Sequence, residues 1–105
     1  MSQDTPRRDG PACRCGGLVV RLMADYSSSG LWCQACGSML DPDDLALPRE
    51  LQEAIAQWVL DWDCATLASG EVPPTHNQRG LALAQQLVRY VPCTLFIEPE
   101  RKPHP

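Results

Sequence analysis

The chain has 105 residues, a formal net charge of −4 and six cysteines. That length holds one domain with a modest core, for which a bound metal is a common supplement. The acidic balance argues against general nucleic-acid binding, which relies on basic surface to displace counterions, and no apolar run is long enough to span a membrane. Residues 1–12 carry Pro6, Arg7, Arg8, Asp9 and Pro11 without an apolar stretch, so they read as a disordered tail and not as a secretion signal. The cysteines are therefore read as reduced thiols of a cytoplasmic protein, not as a disulfide framework.

Residues 13–37 begin with C-R-C-G-G and end with C-Q-A-C-G. Two cysteines close in sequence, a spacer long enough to run out and back, and a second close pair can surround one tetrahedral ion with four thiolates. Cys13, Cys15, Cys33 and Cys36 are the expected ligands, and a structural Zn²⁺ is the expected ion. Gly16 and Gly37, one after each pair, supply the positive φ that a sharp turn around sulfur needs. Between the pairs, residues 18–26 read as a strand, Ser27-Ser28-Ser29-Gly30 as a turn, and Leu31-Trp32-Cys33 as the returning strand of a hairpin. Cys33-Gln34-Ala35-Cys36-Gly37 resembles the second knuckle of the zinc-ribbon and rubredoxin-like families. Cys13-Arg14-Cys15-Gly16 departs from their C-x-x-C-G pattern by one missing residue, so Cys13 reaches the metal from an atypical geometry.

Asp41-Pro42-Asp43-Asp44 reads as a short helical turn with Asp41 as cap and Pro42 at its first position. Its carboxylates suit a helix start better than a calcium loop, since no further acidic ligands follow at the required spacing. Pro48 opens a helix reaching about Ser69. Leu51, Ile55, Trp58, Trp62 and Ala65 form its apolar stripe, with Ala54, Val59 and Leu67 broadening it, while Glu50, Glu53, Gln57 and Asp61 form a solvated face. Thr75-His76-Asn77-Gln78 has the T-x-x-Q form of a capping box, opening a second helix to about Val91. Gly80, Ala84, Leu87 and Val91 share one face of it; Gly80 either admits a close neighbour or merely occupies the first turn. Residues 93–98 read as a strand extending the hairpin into a three-stranded sheet, and 99–105 as a second disordered tail. Cys64 and Cys93 are expected to be buried, inert thiols, since no electropositive neighbour is evident and His76 is far from both in sequence. The expected architecture is α+β: residues 13–98 form one domain in which a zinc-ribbon-like hairpin, extended by the last strand, packs against two helices.

The remainder of the chain resembles a group of small, uncharacterised bacterial proteins of actinobacterial type. The resemblance rests on Asp25-Tyr26, Ser29-Gly30-Leu31-Trp32, Asp41-Pro42-Asp43-Asp44-Leu45, Leu47-Pro48 with Leu51 and Trp58, and Gly80 to Leu87. Some such proteins resemble immunity proteins of bacterial polymorphic toxin systems, which are small, acidic and non-catalytic and cover a toxin's active site. The resemblance implies a protein-interaction module whose partner is a basic toxin, with the metal supporting the hairpin. Two other functions fit the same knuckles: a nucleic-acid-binding zinc ribbon, supported by Arg14 and Arg21, and a rubredoxin-like redox protein with iron in place of zinc.

Overall fold

A computed structural model describes residues 11–98 of the chain; of the tails expected at 1–12 and 99–105, residues 1–10 and 99–105 lie outside the described residues, while Ala12 is tied to the Gly17 carbonyl. Three short strands form one sheet, β1 (Val20–Leu22), β2 (Leu31–Cys33) and β3 (Cys93–Leu95), in the order β2-β1-β3. β1 pairs antiparallel with β2 and parallel with β3, so the last strand does extend the hairpin. Two helices, α1 (Arg49–Ser69) and α2 (His76–Leu87), complete the α+β fold. No helix among the described residues is long and apolar enough to cross a membrane.

The strands are shorter than the expected 18–26 and 93–98. After Leu22 the pairing continues only through the Met23 N–H to the Gly30 carbonyl; local side-chain bonds then take over. Asp25 accepts from the Tyr26 N–H and Ser28 donates to the Asp25 carbonyl, while Ser27 has φ 53°, so the chain turns instead of continuing a ladder. At the other end, Asn77 clamps Glu98 by accepting its N–H and donating to its carbonyl, which draws the segment after β3 onto α2.

Alternation places Val20, Leu22, Leu31 and Cys33 on the inner face of the sheet, all fully buried. Both helices cover that face. α1 lies over the hairpin so closely that a Cβ on Gly30 would meet Val59 at 2.8 Å and Ile55 at 3.1 Å. α2 lies over β3, and Gly80 is its point of closest approach: a Cβ there would stand 2.8 Å from the Trp58 ring and 3.0 Å from Leu95. Of the two readings of Gly80, close approach is the one the fold adopts. Trp58 is thereby enclosed, stacked on His76 with ring centroids 4.4 Å apart, and its indole N–H donates to the His76 carbonyl. Truncating a buried tryptophan of this kind to alanine costs about 3–5 kcal/mol.

α1 spans the expected residues, with Leu51, Ile55, Trp58 and Val59 buried. Trp62 is only half-buried, covered by Tyr26 of the hairpin turn at 4.8 Å, and Leu67 is 75% exposed. Asp61 joins the two helices: it accepts from Gln57 and pairs with Arg79 at 2.8 Å, which holds its carboxyl below the usual range. The capping box is not formed. Thr75 makes no side-chain cap bond, and its carbonyl accepts from the Arg79 N–H instead. α2 ends at Leu87, not Val91; a tighter turn, in which Tyr90 and Val91 donate to the Leu87 carbonyl, still buries Val91. The 3₁₀ turn Pro42–Leu45 is capped as expected, Asp41 accepting from the Asp43 N–H.

Two outcomes test this packing. Gly80→Val will lower stability by about 1–3 kcal/mol by overpacking against Trp58, whereas Ala82→Val on the exposed face of α2 will change it by about 0.5 kcal/mol or less, both read from urea unfolding. His76 is buried and its Nε2 has no partner. Burial, and then the charge of Arg79, lower its pKa to about 4. An unfolded histidine titrates near 6.5, so between about pH 6.5 and 4 the unfolded chain takes up a proton that the folded one refuses. Stability is therefore lost as pH falls through that window, at up to about 1.4 kcal/mol per pH unit. His76→Phe keeps the stack on Trp58 and removes this slope, so the stability difference between wild type and variant will shift in favour of the variant between pH 7 and pH 5.

Candidate metal centre

The hairpin register assembles the site. Val20 stands opposite Cys33, so the chain before β1 and the chain after β2 leave the same end of the hairpin. The Gln34 N–H reaches the Val19 carbonyl, carrying the pairing one step past the strands, and two loops then close on each other. In the first loop, Ala12 and Cys13 both donate to the Gly17 carbonyl and Gly16 donates to the Cys13 carbonyl. In the second, Gly37 donates to the Cys33 carbonyl and Cys33 to the Ser38 carbonyl. Gly16 and Gly37 take φ of 94° and 81°, as expected for turns around sulfur.

The four sulfurs of Cys13, Cys15, Cys33 and Cys36 all lie within 4.8 Å of one another. Cys13 Sγ is 3.7 Å from Cys36 Sγ, and Cys15 Sγ is 3.5 Å from Cys33 Sγ. A tetrahedron with metal–sulfur bonds of about 2.3 Å has sulfur–sulfur edges of about 3.8 Å, so the donors already stand near the spacing such an ion requires. One cysteine of each loop also accepts from the backbone. The Gly17 N–H donates to Cys15 Sγ at 3.3 Å and the Cys36 N–H to Cys33 Sγ at 3.5 Å, an arrangement that stabilises thiolate. The short first spacer does not keep Cys13 away from the others.

The electrostatics of the cluster point the same way. The Ser38 hydroxyl, 3.2 Å from Cys36 Sγ, and the Ser38 backbone pull the Cys36 pKa down to about 6. Cys33 is lowered as well, chiefly by the Cys36 N–H. For Cys15 the Gly17 N–H pulls downward, but the thiols of Cys33, Cys13 and Cys36 together drive it up to about 12. Neighbouring sulfurs thus share the remaining protons, since like charges at these separations disfavour a further thiolate. A dication would replace those protons and neutralise the crowding. The four cysteines could hold a metal ion, and the donor set, four sulfurs within 4.8 Å of one another, is of the type that suits zinc or iron.

Two contributors lie outside the cysteine pattern. Ser38 is signalled only by following the C-x-x-C-G knuckle. Gly17 is required by contact, since a Cβ on it would fall 2.6 Å from Cys33 Sγ and 3.3 Å from Cys15 Sγ; the doubled glycine after Cys15 is its trace in the sequence. The other two cysteines stand apart from the cluster and from the expectation that both are buried. Cys64 is exposed on α1, because it falls between the buried stripe and the solvated face. Cys93 is half-buried at the edge of the sheet, and burial pushes its pKa up to about 11.

No curated protein and no solved structure matches the chain. The profile of the family described as Serratia CdiI immunity protein-like matches residues 19–94. The match runs from the start of the hairpin to β3 and takes in both helices. It includes Cys33 and Cys36 and leaves Cys13 and Cys15 outside. With most of its length covered from first strand to last, the chain belongs to the Serratia CdiI immunity protein-like family.

Proposed function

We propose that this chain is a non-catalytic immunity protein that acts by binding a protein toxin, and that Cys13, Cys15, Cys33 and Cys36 hold one structural Zn²⁺ that keeps its hairpin in shape. The family match over residues 19–94 carries the reading. The convergence of four sulfurs within 4.8 Å supports the metal. Four protein ligands would fill a tetrahedral ion and leave no position for a reacting water, which suits a structural role. The non-catalytic reading also fits Cys93 and His76: the raised pKa of Cys93 disfavours its thiolate, and the imidazole of His76 is enclosed against Trp58.

The net charge of −4 becomes more negative when four thiolates hold one dication, and such a surface speeds encounter with a basic toxin. A reducing compartment such as the cytoplasm, where thiolates persist, suits both the cluster and the free cysteines.

Protein purified without added metal will contain one zinc per chain and be colourless; visible thiolate-to-iron absorption would transfer the site to iron. Cys33→Ser will lose the metal and lower the thermal midpoint by about 10 °C or more, and metal retention will fall as pH drops because protons compete for the thiolates. A metal-free protein whose midpoint is unchanged by Cys33→Ser would remove the metal from the reading. For the partner, calorimetry against each protein encoded by the flanking genes will find one that binds, with an association rate that falls as salt rises. If none binds, the immunity reading fails.

A further inference from the structure

Both helices cover one face of the sheet, and the opposite face carries a distinct set of side chains. Trp32, Arg21 and Thr94 form a row across β2, β1 and β3, and Met39 bridges to Trp32 on the outer side of β2. One row further, Met23 pairs with Gly30 and Phe96 donates to the Leu22 carbonyl. Met39 is 54% exposed, Phe96 is 40% exposed, and Thr94 is exposed. The Trp32 indole N–H donates to the Met23 carbonyl at 2.8 Å, which anchors its ring across the hairpin.

Arg21 sits in the middle of this row. Arg49 pairs with Glu53 and Arg79 with Asp61, whereas no carboxylate among the described residues pairs with Arg21. One of its terminal nitrogens makes a long bond, 3.4 Å, to Gln34 Oε1; its Nε is shielded from solvent and has no hydrogen-bond partner. The exposed end of the guanidinium is thus weakly satisfied, and its terminal nitrogens are the ones an incoming carboxylate can reach, in the paired geometry that a guanidinium fits. Tryptophan, methionine, phenylalanine and arginine are also the side chains enriched where proteins meet.

We propose that this helix-free face is the surface that meets the protein partner, and that the partner seats an aspartate or glutamate against Arg21 among its own apolar side chains. The proposal rests on reading the chain as a partner-binding immunity protein. It is compatible with a partner that is basic overall, because long-range charge governs encounter whereas one desolvated pair sets register. A second copy of the chain fits the face less well, since a two-fold contact centred on this row would set Arg21 against its own equivalent. A nucleic acid fits it less well too, since Arg21 is the one cation in the row and the chain is acidic. The sulfur cluster bears on the face through Gln34, which holds Arg21 and lies in the loop between Cys33 and Cys36.

The test uses the flanking-gene product that binds the full chain. Arg21→Glu will weaken its binding about 30-fold or more. Met39→Glu and Thr94→Arg, at exposed positions that leave the core untouched, will each weaken it about tenfold, while Leu67→Arg on the far side of α1 will leave it within about twofold. Circular dichroism confirms that each variant is folded; should Arg21→Glu not fold, the other two carry the test. If all folded face variants bind within about twofold of wild type, the inference falls while the immunity reading stands. If no flanking-gene product binds wild type, that reading fails and takes the inference with it. A dimer in sedimentation that Arg21→Glu dissociates, or retention on a DNA oligonucleotide that the same variant abolishes, would overturn the protein partner as occupant.

Discussion

Opposite Val20 stands Cys33, and much of the molecule follows from that pairing. A slip of one residue in an antiparallel hairpin turns every side chain to the other face. Here it would remove Val20, Leu22, Leu31 and Cys33 from beneath the helices and draw the two cysteine loops apart. The same register thus serves the core on one side, the row of Trp32 and Arg21 on the other, and the sulfur cluster at its open end. Two three-residue strands hold such a register weakly by themselves, because isolated hairpins are marginal in water. A cation across the loops would strengthen it from one end, and α1 packing onto Gly30 does so from the other.

The second half of the chain is organised around Trp58. Its ring receives Gly80 of α2, stacks on His76 and closes the core beneath the sheet. Gly80 gives up helix propensity to make room for the indole, and His76 gives up its charge to lie against it. Asp61 and Arg79 then bind the same two helices at the surface. The helices and the last strand are thereby joined independently of the cysteines, in keeping with a family match that extends over both helices but begins after Cys15. The first cysteine pair lies outside the match, although Cys13 packs against the same core.

On the proposed reading, charge serves two separate tasks. The carboxylates of the 3₁₀ turn and of α1 give the chain its acidic character, which acts at a distance. Arg21, half-buried in the sheet, would act only at contact.

Periodicity and punctuation in the sequence were enough to define the α+β class, both helix starts, the capped turn at Asp41 and the grouping of four cysteines about a hairpin, because each depends on residues near one another along the chain. The doubled glycine and the serine beside the cysteine pairs were visible but had no evident purpose until Gly17 and Ser38 were seen against sulfur. Local patterns failed in several places. The T-x-x-Q motif forms no capping box because Thr75 is held in a different turn, the strands stop where side-chain bonds replace the ladder, and Trp62 and Cys64 lie further out than expected, Trp62 covered on one side by Tyr26. Which face of the sheet stays open, and that an arginine paired with no acid among the described residues stands at its centre, follows only from where both helices come to rest. Burial is a property of the assembled layers, and no stretch of the chain carries it alone.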